Sequence, residues 1–443
     1  MTGLALQTSL RRLFAPRPVS YDLCRILNTI SIIAIHVKDH YPFPRVTSVD
    51  TTFHRVLAFC KAIPVNQIAI VMMVYLSIRR LQPKPSGPFS WIWGTLCYAL
   101  RRWALIMSAV GIWLYFYVDV LMEDVVPPNI GKAHFLFLWL SHRRDACLRR
   151  EHLFPSIFLV HEAFHREATP CHNLDIFEAC WQVDVVVFSF LTLPGLSQRR
   201  WLAAGISAAL FVPAAYCSSV TLGVKSSFSF SFEHRLPDLL APAFGAVVVT
   251  AVLPGPEALQ RRPVARFVLS LCGCGLCLVG IALTMAFEFG ELPPALEQLP
   301  VCLKHNVAVM PVAAGTLLLL RLAEASSLGP GVLAPLWNAL GRISPAMNLA
   351  HLFVAQLHIG FADSPTEWFW NLPPSLWQFV SIVGLLFVCS ALVSVVFFVL
   401  IEGPVQAVLG YGGAQPRSVA AASNGASHSA PVANGSRHSR RRH

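Results

Sequence analysis

Long apolar runs separated by short polar breaks dominate this chain. Nearly unbroken runs cover 201–224, 236–253, 267–287, 306–322 and 376–401. Further runs, at 21–37, 65–78, 92–122, 176–196 and 332–359, are interrupted by isolated polar residues. A helix needs roughly 20 mostly apolar residues to cross the hydrocarbon layer. The pattern therefore predicts an all-α, polytopic bundle of about ten transmembrane helices. The interrupted runs carry the functional information, because a polar group in a bilayer is costly and needs a role. Around the membrane part, 21–410, the pattern leaves an N-terminal segment at 1–20, a long loop at about 123–173 and a polar tail at 411–443.

Composition agrees. Charged residues make up only 13% of the chain and hydrophobic residues 55%, whereas a soluble domain carries about 25% charged residues. A soluble enzyme or transcription factor is excluded. The net charge of +11 needs no nucleic acid, because the Arg residues cluster between spans. Arg11, Arg12 and Arg17 precede the first span; Arg79, Arg80 and Lys84 follow the second. Arg199 and Arg200, then Arg261, Arg262 and Arg266, lie in later connections, and Arg440, Arg441 and Arg442 end the tail. With ten spans all of these fall on one side, which the positive-inside rule makes cytoplasmic. Both termini are then cytoplasmic in a multi-pass protein of the plasma membrane or endoplasmic reticulum, and the 123–173 loop lies outside or in a lumen. Its own Arg residues do not overturn this, since long loops translocate largely regardless of charge. Arg11 and Arg12 lead into Pro16 and Pro18 rather than an apolar core, unlike a signal peptide. The Ala/Ser/Asn/Gly-rich tail reads as disordered, with terminal Arg residues suited to anionic lipid.

Most of the twelve cysteines sit in predicted spans and read as small packing residues. That includes Cys272, Cys274 and Cys277, which have no His or acidic neighbours. Cys147 and Cys171 lie in the outer loop, where an oxidising compartment favours a disulfide between them over two free thiols. The same loop contains His161-Glu162-Ala-Phe-His165. On a helix that spacing would present two imidazoles to zinc, with Glu162 as base. The loop is His-rich, so a solvated loop is the plainer reading, and a zinc hydrolase is a remote one.

The first span holds Arg25 and His36, eleven residues apart. At 3.6 residues per turn they share a helix face, about 16 Å apart along the axis. An Arg near the inner end can hold a phosphate-bearing donor, and a His deeper in can take a proton from an acceptor hydroxyl. A snorkelling Arg and an interfacial His fit the same spacing.

Several stretches in order resemble the acyltransferase 3 membrane proteins, in particular the nose resistant to fluoxetine-like branch. Arg25-x10-His36 resembles that family's first-helix motif. Cys147 and Cys171 resemble the branch's two loop cysteines. Glu233-His-Arg235 through Gly245 is similar to the approach to its sixth helix. Leu340-Gly-Arg-Ile-Ser344 through His351 resembles its Gly-Arg-Ser-Tyr stretch, and Glu402-Gly-Pro404 its closing Glu-x-Pro. The sequence departs from the family pattern where Asn66 replaces an Asp, Met72-Met73 a Ser-Gly pair, and Pro345 and Asn348 two Tyr. The resemblance implies a membrane O-acyltransferase with no bound cofactor. The donor would be acyl-CoA and the acceptor a lipid or carbohydrate hydroxyl. His36 would be the base; Arg25, Arg101 and Arg102 would hold the coenzyme's phosphates; Asn66, Ser344, His351 and Glu402 would support, with Glu402 suited to pairing an Arg. A bundle that keeps the Arg–His face without its acidic and Ser-Gly partners would also suit a catalytically silent protein in lipid or drug transport. Consumption of acyl-CoA separates the two readings.

Overall fold

The computed structural model describes residues 3–15, 19–40, 55–56, 59–60, 63–80, 87–115, 147, 149–161, 174–194, 196, 199–221, 235–289, 291–299, 301–325, 333–361 and 376–409. Among the described residues the fold is all-helical and contains no strand. The main helices are α1 (Gly3–Leu13), α2 (Val19–His40), α3 (Val65–Arg80), α4 (Pro88–Tyr115), α5 (Arg150–Ile157), α6 (Leu174–Leu191) and α7 (Arg200–Thr221). They continue as α8 (Arg235–Val252), α9 (Pro263–Phe289), α10 (Val301–Ala325), α11 (Ala334–Phe361), α12 (Leu376–Phe397), a π-helical turn (Phe398–Glu402) and α13 (Gly403–Val408). Each apolar run is centred on one of these helices. Pro263–Phe287, Val307–Ala325 and Leu376–Val408 are long and apolar enough to cross a membrane, and Val65–Ile78, Arg200–Tyr216 and Leu239–Val252 are shorter apolar helices. Most of the 123–173 loop and the whole 411–443 tail lie outside the described residues.

The two largest apolar cores organise the bundle. One joins α3, α6, α8 and α10 around Ile70, Val74, Val183, Ala243 and Leu317. The other joins α2, α4, α11 and α12 around Ile33, Val37, Val110, Leu349 and Ile382. Cys147 and Leu159, from the segment between α4 and α6, are buried in that second core. The described part of this segment, Cys147 and 149–161, is therefore packed into the bundle. Trp103 donates its indole N–H to the Ile157 carbonyl at 2.9 Å, and Gln182 donates to the Leu159 carbonyl at 3.2 Å. Leu159 turns the chain with a positive φ of 57°, an uncommon conformation for a side chain of this size.

Within the N-terminal segment at 1–20, residues Gly3–Leu13 form α1. Ser9 and Leu13 are buried, Ser9 rests on Gly403, and Arg12 donates to the Gly403 carbonyl at 3.3 Å. The run from Gly3 to Leu13 contains no helix breaker, and Pro16 lies just beyond it, where proline cannot interrupt it.

α2 and α11 approach closely because position 341 has no side chain. A Cβ at Gly341 would run into the Asp22 carboxylate. Gly341→Ala should therefore force α2 and α11 apart, at about 1–3 kcal/mol, the usual cost of overpacking. A lowered midpoint in thermal unfolding of the detergent-solubilised protein checks this.

Candidate functional site

α2 and α11 run side by side in the same direction, and two polar contacts mark the two ends of their interface. At one end, Arg25 donates from Nη1 to the Gly341 carbonyl at 3.4 Å. That carbonyl is available because residue 345, four positions on, is Pro345, which has no N–H to close the helix bond. Ser344 shares the same acceptor, its Oγ donating at 3.0 Å. Pro345 thus creates the acceptor that Arg25 uses.

At the other end, His36 Nδ1 lies 2.6 Å from His351 Nε2. The ring centroids are 4.8 Å apart with planes 19° apart. With nitrogens this close, the rings meet edge to edge in nearly one plane, and the hydrogen bond is close to linear. His351 is buried, and its Nδ1 lies 3.3 Å from the Met347 carbonyl. A carbonyl can only accept, so in the neutral pair His351 carries its proton on Nδ1. Its Nε2 then accepts from His36 Nδ1–H, which leaves the basic lone pair of His36 on Nε2. A ring whose tautomer and orientation are set by a second group is the arrangement expected of a general base.

The other expected site residues are distributed differently. Arg102 is engaged with Asp184, its Nε 2.5 Å from Oδ2. Tyr98 donates to the same oxygen at 2.9 Å, and Ser77 donates to Oδ1 at 3.1 Å. This buried carboxylate clamps α3, α4 and α6 together. Arg101, by contrast, is exposed, as is Asn66. Glu402 accepts from Gln406 at 2.9 Å, one turn on in sequence. Cys147 is disulfide-bonded, and Cys171 lies outside the described residues. His161 is buried, its Nε2 2.8 Å from Nδ1 of His152; Glu162 and His165 lie outside the described residues. Cys277 packs against Gly315, while Cys272 and Cys274 are exposed.

A polar cluster that the sequence reading did not single out joins the start of α2 to the ends of α3 and α10. Tyr21 donates to Glu324 Oε1 at 2.9 Å and Tyr75 to Oε2 at 2.6 Å. Arg321 lies 3.6 Å from Glu324 and donates to the Tyr75 hydroxyl at 3.1 Å. The available signal was a pair of charges at the margin of the 306–322 run. Tyr75→Phe removes both a donor to a buried carboxylate and an acceptor for Arg321. It should cost more than Tyr21→Phe, about 1.5–3 kcal/mol for a hydrogen bond to a charged group; parallel thermal melts of the two variants make the comparison.

No family model, no characterised protein and no solved structure matches the chain significantly.

Proposed function

We propose that this chain is a multi-pass membrane O-acyltransferase of about ten spans, moving an acyl group from acyl-CoA to a hydroxyl of a lipid or carbohydrate. The observation that carries the reading is the His36–His351 hydrogen bond, which joins helices far apart in sequence. His36 Nε2 takes the proton of the acceptor hydroxyl as its oxygen attacks the thioester carbonyl. The proton then passes to the departing coenzyme thiolate, so the histidine is regenerated. Arg25, one helix face and about 16 Å away, suits the phosphate end of the donor.

The helix directions support a ten-span order with both termini cytoplasmic. Arg25–Gly341 and His36–His351 make the first and ninth spans parallel, as two odd-numbered spans must be. The meeting of Tyr21, Tyr75 and Glu324 brings the start of the first span to the ends of the second and eighth, all cytoplasmic in that order. The cytoplasmic end would then carry Arg25 and the outer half the histidine pair, with acyl-CoA and the acceptor approaching from opposite sides.

The test is incubation of the purified protein in lipid nanodiscs with acyl-CoA labelled in the acyl group. Label appearing in an extracted lipid or carbohydrate, with release of free coenzyme, is the expected result. Intact acyl-CoA after incubation with lipid and carbohydrate acceptors overturns the assignment and favours movement of a substrate without chemistry.

A further inference from the structure

Between the two ends of the α2–α11 interface lies a polar seam completed by α12. Thr29 is on the face of α2 that carries Arg25 and His36, four residues from one and seven from the other. Asn348 lies on α11 between Ser344 and His351. Ser390 and Ser394 lie on the buried stripe of α12, whose outer part packs with Ile33 and Leu349 and whose base, continued at Phe398, packs with Ile343. The two serines therefore sit at the depth between Arg25 and His36. Thr29 Oγ1, Asn348 Oδ1, Ser390 Oγ and Ser394 Oγ are all buried without a hydrogen-bond partner.

Single orphaned hydroxyls occur elsewhere, at Thr95, Ser207 and Thr250, but several helix hydroxyls satisfy themselves. Ser31, Thr192, Ser270, Thr284 and Thr316 each donate to the carbonyl four residues back, at 2.7–2.9 Å. That option is open to any helical Ser or Thr. Thr29, Ser390 and Ser394 do not take it. A buried polar oxygen left unpaired costs about 1–3 kcal/mol, and hydrocarbon offers no water to relieve it. Orphaned oxygens on three packed helices, spread between the levels of Arg25 and His36, share one remedy, a file of water molecules between the helices. In the closed arrangement the oxygens are sealed, so hydration needs a small parting of α12. The π turn at Phe398–Glu402 supplies slack at the base of α12, since such turns hold one residue more than the helix needs.

We infer that the α2–α11–α12 seam is a gated water passage leading to the histidine pair, closed here and filled when α12 moves. Its purpose rests on the reading of His36 as a base. Water in the seam exchanges protons between the imidazoles and the end of the bundle that holds Arg25. Each water accepts one proton and passes one on, and no other bond is made or broken.

Hydroxyl-radical footprinting by pulsed radiolysis tests the passage in the full-length protein in nanodiscs, with no acyl donor present. The radicals form from water, so a buried side chain is oxidised only where water reaches it. Met347, 1% exposed beside Asn348, and Met72, 5% exposed in the apolar core of α3, α6, α8 and α10, are both buried, Met347 the more deeply. The passage predicts oxidation of Met347 several-fold faster than Met72. Equal rates overturn it. Ser390→Ala/Ser394→Ala removes two orphaned hydroxyls. That variant should keep or raise the unfolding midpoint while lowering the Met347 rate towards that of Met72. A lowered midpoint overturns the proposal, because the hydroxyls would then have had partners. The readout does not need acyl transfer. A chain that consumes no acyl-CoA but oxidises Met347 selectively sinks the enzymatic reading alone, and a dry seam in an active enzyme sinks the passage alone.

Discussion

Replacing His36 with alanine should lower transfer of labelled acyl groups by about 10²–10⁴-fold, the usual contribution of a positioned general base, without unfolding the bundle. His36 is only half-buried, so its loss removes the bond to His351 but leaves the apolar cores of the bundle intact. The same assay separates the two imidazoles. His351 acts through His36: its Nε2 accepts the His36 Nδ1–H and so keeps the basic lone pair on the other nitrogen. His351→Leu removes that acceptor and should lower transfer by a smaller factor than His36→Ala. His351→Gln, which can present an amide oxygen as acceptor, should recover part of the loss. A merely structural role for His351 would show the same transfer in both variants once corrected for folded protein. Unchanged transfer in His36→Ala would falsify the base assignment.

The helices were legible wherever apolar periodicity alone decides them. The runs around 267–287 and 376–401 became α9 and α12 with little change. The Arg25–His36 face was legible too, because helix spacing fixes which residues of one helix point the same way. What each residue would meet on another helix was not legible. Arg102 read as a phosphate holder, and its pairing with Asp184, 82 positions away, had no local signal. Arg25 finds a backbone carbonyl, and only the loss of an N–H at Pro345 makes that carbonyl available. Glu324 sits just past an apolar run and would pass for a charge at the membrane edge; folding draws it under Tyr21 and Tyr75. Helix α1 was missed for the opposite reason. Its Arg pair dominated the reading of topology, and its buried Ser9 and Leu13 meet a π turn some four hundred residues later, which no local pattern announces.

Arg102→Ala should be among the most destabilising single changes in the chain, at about 3–5 kcal/mol. It leaves the Asp184 carboxylate, 1% exposed, without its cation, whose own side chain is 28% exposed. Removing one member of a buried pair strands the other charge in a low-dielectric interior, which costs more than the pair itself contributes. Tyr98 and Ser77 would still donate to that carboxylate, which sets the loss towards the lower part of the range. Asp184→Asn should be milder, since the amide retains an acceptor for Tyr98 and frees an Arg102 that can reach water. Arg102→Met/Asp184→Leu removes both charges and should recover most of the stability, as apolar replacement of a buried pair commonly does. Thermal midpoints of the four proteins provide the comparison, and a double variant no more stable than Arg102→Ala would show that the clamp is not the source of the effect. The double variant also decides what Arg102 is for. If it refolds the bundle and restores acyl transfer, Arg102 serves the junction of α3, α4 and α6, and Arg25 is left as the cation for the donor's phosphates. If the bundle is restored and transfer is not, with KM for acyl-CoA raised, the guanidinium contributes its remaining N–H groups to the donor as well as to Asp184.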